Sequence, residues 1–267
     1  TFTWRTVLAE REAKAQVEIS DRVAEFLVSV FAASDSNVNG NVTHELSARE
    51  VLDAGAARID SELAGQPRIR ARLLEAVGNA YRHMNNNVKG VAMLREAADI
   101  HLDPAINQPL DAARCLEAMA NAMANGQFAA SDAEAAARES LALAERLTPA
   151  GSQEIANAWM VLSLALNRSG NLVAAEQAAR TTYAMNEQLL ASPDNRHEAA
   201  VGNLCIILSN RGMLASAAEF CDRSVAQRRN SGNQTVLAMS LSRLAQLRAA
   251  QGQYSEALAL ATEGLAL

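Results

Sequence analysis

The sequence has 267 residues, of which 49% are hydrophobic and only 4% are aromatic. Its formal net charge is -6, and it contains no long run of Lys and Arg, so nucleic acid is not expected as a partner. No apolar stretch reaches the roughly 18 residues that a membrane span needs, so this segment is not expected to insert into a bilayer. The three cysteines are too few and too scattered for a disulfide-stabilised scaffold.

The amino-terminal region is predicted to be helical but distinct from the part that follows. Residues 4–33 have apolar side chains at helical spacing and lead into a polar loop. Ser47 and Glu50 have the spacing of a capping box, which predicts the start of a second helix. We interpret residues 1–45 as a leading cap and residues 46–267 as an array of helical repeats.

Five segments of the sequence repeat with a period of about 42 residues. In each segment, residues eleven, eight and four positions before a turn residue are mostly apolar, which places them on one stripe of a helix. A second helical pattern follows the turn, so each unit consists of a helix, a tight turn and a helix. The predicted turns lie near Asn85, Gly126, Gly170, Gly212 and Gly252.

Small residues recur on both helices of each unit. Seven positions before the turn, four of the five units carry a small residue, and Gly78 is the smallest of them. Because small side chains let two helix axes approach closely, we expect Gly78 to lie where two helices nearly touch. The predicted fold is all-α, a right-handed superhelical solenoid of antiparallel helix pairs.

The repeat resembles the tetratricopeptide (TPR) family over roughly residues 67–267. The usual unit of that family has about 34 residues, and the longer spacing here resembles the long-helix variant found in kinesin light chains and many bacterial regulators. The resemblance implies a binding module whose concave face, formed by the first helix of each pair, receives a protein or peptide. The residues that carry the resemblance are Leu74, Val77, Gly78 and Tyr81, then Trp159 with Leu162, then Gly252, Gln253, Tyr254 and Ala257.

Residues 9–100 resemble the region beyond the membrane helix of bacterial receptor-like Ser/Thr protein kinases. Related sequences occur in membrane-anchored transcription regulators. The sequence contains no kinase Gly-rich loop, HRD or DFG motif, so this resemblance implies a fragment of a longer protein, as does the lack of a polar capping helix after the fifth unit. If the kinase resemblance holds, it implies the extracytoplasmic side of the bacterial inner membrane; otherwise a cytoplasmic location is expected.

Positions thirteen, ten, nine, six and three before the turns are expected to face the groove of the array. Asn side chains there can bind a peptide backbone through both a donor and an acceptor, while Met160 and Leu164 supply an apolar middle. Few basic residues converge, so the Lys/Arg clamp that chaperone-binding relatives use for a terminal carboxylate is poorly matched. The candidate concave-face residues are Arg72, Glu75, Asn79, Arg82, Met123, Asn157, Met160, Leu164, Asn167, Asn203, Ser209 and Gln246.

We find no constellation of residues that would support catalysis. None of the four histidines pairs with a Cys, Asp or Glu at metal-ligand spacing, and no Ser elbow, P-loop or dinucleotide fingerprint is present. The sequence therefore predicts no metal, no cofactor and no enzymatic activity for this chain. An enzyme that uses an unrecognised cleft is kept as an alternative.

The cysteines fall at predicted core positions. Cys115 is expected to be a buried small hydrophobic residue. Cys205 and Cys221 face each other within one repeat, and two interpretations are open. They either pack closely as two small residues or form a disulfide, if the protein meets an oxidising compartment.

The repeat pattern favours a non-catalytic protein- or peptide-binding or sensor module within a larger bacterial signalling protein. One alternative is a structural scaffold whose array self-associates, for example as a homodimer. Another is the repeat region of a membrane-anchored transcription regulator.

Overall fold

The computed structural model describes residues 47–189, 195–230 and 232–267, together with Arg22, Ala24, Glu25 and Val28. Apart from these four helical positions, the predicted helix 4–33 and the loop after it lie outside the described residues. From residue 47 onward the described ranges contain eleven α-helices and no strand. The helices are α1 (Ala48–Glu62), α2 (Pro67–His83), α3 (Asn87–Leu102), α4 (Pro109–Asn125), α5 (Ala130–Leu147), α6 (Gln153–Arg168), α7 (Leu172–Leu189), α8 (Asn195–Asn210), α9 (Leu214–Asn230), α10 (Gln234–Ala250) and α11 (Tyr254–Leu265).

The chain divides into two compact units, residues 1–122 and residues 123–267. In the first unit, α1 packs on α2 and α2 packs on α3. In the second unit, every helix from α5 to α11 packs on the next one along the chain. In addition, α6 contacts α8 and α8 contacts α10, so the first helices of successive pairs are neighbours. These contacts confirm the predicted all-α architecture of consecutive helix pairs.

All five predicted turns coincide with helix ends, and at four of them the turn residue adopts the left-handed conformation; Gly126, directly after α4, is the exception. At the end of α2, the Asn86 N–H donates to the Tyr81 carbonyl at 2.8 Å, which is the hydrogen bond of a Schellman motif. The equivalent bonds after Gly212 and Gly252 measure 2.9 and 2.8 Å. Positive φ angles are found at Asn85 (58°), Gly170 (82°), Gly212 (73°) and Gly252 (79°).

The core of each unit is lined by the positions that the repeat pattern selected. A Cβ added at Gly78 would stand 3.0 Å from Leu94 Cγ and 3.2 Å from the Gly90 carbonyl oxygen, which confirms the predicted close approach of two helices. Trp159 differs from the prediction, because it is only half-buried and not part of the closed core. The position seven before the turn is buried in all five sequence repeats, at Gly78, Met119, Ser163, Cys205 and Ala245.

The start of α1 is fixed by the capping box that the sequence predicts. The Ser47 N–H donates to the Glu50 carboxylate at 2.8 Å, and the Glu50 N–H donates to the Ser47 hydroxyl at 3.3 Å. No helix in the described ranges is both long enough and apolar enough to cross a membrane.

Candidate ligand-binding face

The candidate residues of the first unit all lie on α2 and are half-buried. The Arg72 guanidinium donates to the Glu75 carboxylate at 3.1 Å and lies 3.7 Å from the Asp111 carboxylate. The Asn79 amide donates to the Glu75 carbonyl at 3.0 Å, and Arg82 Nε donates to the Asn79 amide oxygen at 3.4 Å. The charge of Arg72 is therefore compensated by two carboxylates, whereas Arg82 contacts, among the described residues, only the neutral Asn79 amide and the His83 ring.

In the second unit, α6 presents an apolar centre at its surface. Met160 and Leu164 lie one helical turn apart and each is half-buried, whereas Leu162 and Leu166 on the core side are 2% exposed. The repeat pattern places Met160 and Leu164 outside the core stripe, and their partial exposure agrees with that placement. The candidate residues on this helix are Asn157, Met160, Leu164 and Asn167, all half-buried.

Two amide side chains connect α6 to α8. Asn203 is only 4% exposed, and its Nδ2 donates to the Ser163 hydroxyl and lies 3.4 Å from the Met160 sulfur. Its Oδ1 is buried with no hydrogen-bond partner among the described residues. Asn210 Nδ2 donates to Asn167 Oδ1 at 2.9 Å. Asn203 is thus buried beneath the candidate face, and the Asn167–Asn210 pair forms a second contact between α6 and α8.

Met123, the candidate residue at the end of α4, is also nearly covered, at 9% exposure. Its carbonyl accepts a hydrogen bond from the Arg168 guanidinium, which also donates to the carbonyls of Ala124 and Phe128. Arg168 therefore binds carbonyl groups of the last turn of α4 and of the loop that follows it.

A cavity of about 300 Å³ opens between α8 and α10. Two of the predicted face residues line it, Ser209 on α8 and Gln246 on α10. The Ser209 hydroxyl donates to the Cys205 carbonyl at 2.7 Å, so its proton already has an acceptor within the helix. The apolar part of the lining comes from Ile206, Leu214, Leu247 and Ala250. The cavity therefore combines a hydrophobic wall with a few polar groups, which is typical of ligand sites.

The cavity also contains Arg243, which the candidate set omitted. Arg243 stands nine positions before Gly252, as Asn203 stands nine positions before Gly212, so the repeat register could have identified it. The side chain is half-buried, and it forms no ion pair or hydrogen bond with any described residue. Burial lowers the pKa of its guanidinium, although an arginine stays charged at neutral pH. The cavity thus holds a cation that the described part of the chain leaves uncompensated.

Glu75, His101 and Cys115 come together inside the first unit, with potential ligand atoms within 4.8 Å of one another. Their spacing along the sequence did not indicate this cluster. Burial lowers the pKa of His101 and raises the pKa of Cys115 to about 12, which favours a neutral imidazole and a protonated thiol. Because the Arg72 guanidinium already pairs with Glu75, we assign no metal to this cluster, and the sequence-based expectation of no metal stays a prediction.

Cys205 and Cys221 form a disulfide with a Cα–Cα distance of 4.9 Å. Of the two interpretations open from the sequence, close packing and a disulfide, the structure shows the disulfide. It joins α8 to α9 within one helix pair, and Cys205 also lines the cavity. Cys115 is free and buried, as predicted.

Comparison with known proteins places the chain by its fold. No protein-family model matches the sequence, and comparison with curated proteins finds no similar sequence. BtubC from P. vanneervenii superposes with a TM-score of 0.66 at 16% identity, over 82% of this chain and 90% of BtubC. The TPR-like repeats of a P. anserina kinesin light chain give a TM-score of 0.58 at 19% identity, over 75% and 95% of the two chains. A Rap protein in complex with competence and sporulation factor gives 0.56 at 18% identity, over 81% and 68%.

At these identities the likeness establishes the fold alone. The chain is a TPR-like helical-repeat protein, in agreement with the resemblance carried by its turn and core positions.

Proposed function

We propose that this chain is a non-catalytic module that binds a protein or peptide along the face formed by α6, α8 and α10. The observation that supports the proposal is that these neighbouring helices leave apolar side chains partly exposed next to a cavity. Met160 and Leu164 stay partly exposed on α6, and a cavity of about 300 Å³ opens between α8 and α10. Partly exposed apolar residues beside a concave pocket with few polar groups are typical of binding surfaces.

The repeat architecture suits an extended ligand. Stacked units present the same helix face several times, so one segment can contact more than one repeat. Affinity then comes from a few anchor residues, while the surrounding contacts mainly exclude water. The Rap neighbour was determined with competence and sporulation factor bound, which supports a binding role for a chain of this fold.

Selection from a random peptide library tests the proposal. The Met160→Asp/Leu164→Asp protein is compared with wild type and with Leu147→Asp/Val173→Asp, whose two sites are exposed on second helices. Wild type and the control should select the same peptides, and the Met160/Leu164 variant should lose them while its circular dichroism stays native. The variant should lose the wild-type partners in a pulldown as well. If it retains all of them, or if wild type selects no peptide, the proposed function is wrong.

Self-association as a structural scaffold is a second candidate, favoured by the exposed apolar face of α11. Tyr254, Leu258 and Leu265 share this face and are 73%, 70% and 89% exposed. Size-exclusion chromatography with light scattering separates the candidates. A dimer that persists on dilution and is lost in Leu258→Asp would favour the scaffold.

We further propose that residues 1–45 form a leading cap, that residues 46–267 form the repeat array, and that the array belongs to a larger bacterial signalling protein. A membrane-anchored Ser/Thr kinase is our first choice of parent and a membrane-anchored transcription regulator our second, because of the resemblance over residues 9–100. A disulfide at Cys205–Cys221 suits an extracytoplasmic location. The sequence encoded upstream of Thr1 in the full-length gene tests this proposal.

A further inference from the structure

Within the described ranges, Arg243 lacks the carboxylate partners that the other arginine on the same helix has. Arg248 lies five residues further along α10 and binds the carboxylates of Asp222 and Glu256 at 2.6 and 2.9 Å. Arg243 has no such partner among the described residues, although it is half-buried in the wall of the cavity. A cation partly removed from water without a counter-charge is unfavourable. An anionic group entering the cavity would remove this cost.

Gln246 provides a second donor beside Arg243. It lies three positions further along α10, so the two side chains are on the same face of the helix. The Gln246 amide forms no hydrogen bond with a described residue. A guanidinium presents its N–H groups in a planar fork that matches the two oxygens of a carboxylate. The Gln246 amide can donate to the same group.

The other walls limit what can enter. Ile206 and Leu247 are apolar, so the anionic group must be attached to an apolar stem. The volume of about 300 Å³ is at the small end of ligand pockets, which suits a side chain or a chain terminus. One uncompensated arginine in the cavity of a chain with net charge -6 is unlike the basic patches that bind nucleic acid.

We propose that the cavity between α8 and α10 is a subsite for one carboxylate of a bound peptide, held by Arg243 and Gln246. This inference rests on the proposed peptide-binding function and names the chemistry of its ligand. The carboxylate is that of an Asp or Glu side chain or that of the peptide's carboxyl terminus. The recognition involves one arginine and one amide, in contrast to the Lys/Arg clamp of chaperone-binding relatives, which this sequence matches poorly.

A synthetic random peptide library in two forms, with a free carboxyl terminus and with an amidated one, tests the subsite. Wild type, Arg243→Gln and Arg146→Gln are compared, because Arg146 is exposed on α5 and its loss changes the net charge equally. Wild type should select peptides with an acidic residue at one fixed position in both forms, or should bind only those with a free terminus. The two forms therefore distinguish the two sources of the carboxylate.

Affinity for the selected peptides is then measured by fluorescence anisotropy. Arg243→Gln should weaken binding about tenfold or more, since charge-assisted hydrogen bonds are lost, while Arg146→Gln should bind as wild type does. Gln246→Leu should weaken binding less, and Arg243→Lys should keep the preference for an acid at reduced affinity.

Two results would contradict the subsite but not the proposed function. Either wild type selects peptides with no requirement for a carboxylate, or Arg243→Gln binds the selected acidic peptides as tightly as wild type. A wild-type protein that selects no peptide in either form contradicts the peptide-binding function and the subsite together.

Discussion

The carbonyl oxygen of Gly78 in α2 lies 2.9 Å from the position that a Cβ on Gly90 in α3 would occupy. The approach is reciprocal, because a Cβ on Gly78 would stand 3.2 Å from the Gly90 carbonyl oxygen. The backbones of the two helices are therefore in direct contact. A backbone oxygen cannot rotate away as a side chain can, so the two glycines set the distance between the helices of this pair.

Gly90→Ala is expected to destabilise the protein by about 1–3 kcal/mol, because the added methyl group forces α2 and α3 apart. Urea unfolding monitored by circular dichroism measures the change. Gly65→Ala is the matched control, since nothing lies within 4 Å of its added Cβ, and it should leave stability nearly unchanged. A Gly90→Ala protein as stable as wild type would mean that the helices are further apart in solution.

Leu162→Ala should lower the free energy of unfolding by roughly 2–5 kcal/mol through the cavity that it leaves in the core. Leu162 is 2% exposed on the core side of α6, whereas Leu258 is 70% exposed on α11. Leu258→Ala makes the same chemical change at the surface, and we expect a loss below about 0.5 kcal/mol. Similar losses for the two variants in urea would show that the repeat register is misassigned.

The Cys205–Cys221 disulfide closes a short loop, with a sequence separation of 16 residues. Reduction should lower the stability by about 3 kcal/mol, because the unfolded chain regains conformational freedom. A reductant should lower the urea midpoint of wild type and leave that of Cys205→Ala/Cys221→Ala unchanged.

Alkylation of the denatured protein gives a second measurement of the same bond. Without reductant one of the three cysteines should react, namely Cys115, and with reductant all three should react. Three reactive thiols without reductant, in protein purified under oxidising conditions, would contradict the disulfide.

The stability should fall with acidification because of His101. Burial lowers the pKa of this histidine below its ordinary value of about 6.5, a shift that Arg72 reinforces and that Asp111 and Glu75 oppose. The unfolded chain then binds a proton that the folded chain does not, so the free energy of unfolding decreases as the pH drops below about 6.5. Urea melts between about pH 8 and pH 5 should show this decrease in wild type and a smaller one in His101→Gln. His83→Gln removes an exposed histidine and should keep the wild-type slope.

The helix pairs and their turns could be predicted because the signals for them are local. The period of the turn residues and the spacing of apolar positions need only neighbours along one helix. Gly212 illustrates this, since its place at the end of α8 follows from its need for a positive φ. Trp159 shows the limit of the same reasoning, because its apolar character does not ensure that a neighbouring helix covers it.

The face that we propose for binding could be derived from the sequence only in part. The repeat register indicated Met160, Leu164 and Gln246, and it contained Arg243 without distinguishing it. Nothing in the sequence indicates that Arg243 lacks a carboxylate partner, because such partners come from other helices. Those of Arg248, for example, lie on α9 and α11.

By itself the sequence determined the class of fold, the positions of the turns, the capping box of α1 and the near-contact at Gly78, since each depends on spacing within one or two adjacent helices. The tertiary structure alone decided that Asn203 is buried against Ser163, that Cys205 bonds to Cys221, and that a cavity opens around an unpaired Arg243. These features depend on how side chains from different helices meet. Burial and charge compensation are sums over all neighbours in space, and the order of residues along the chain does not specify those neighbours.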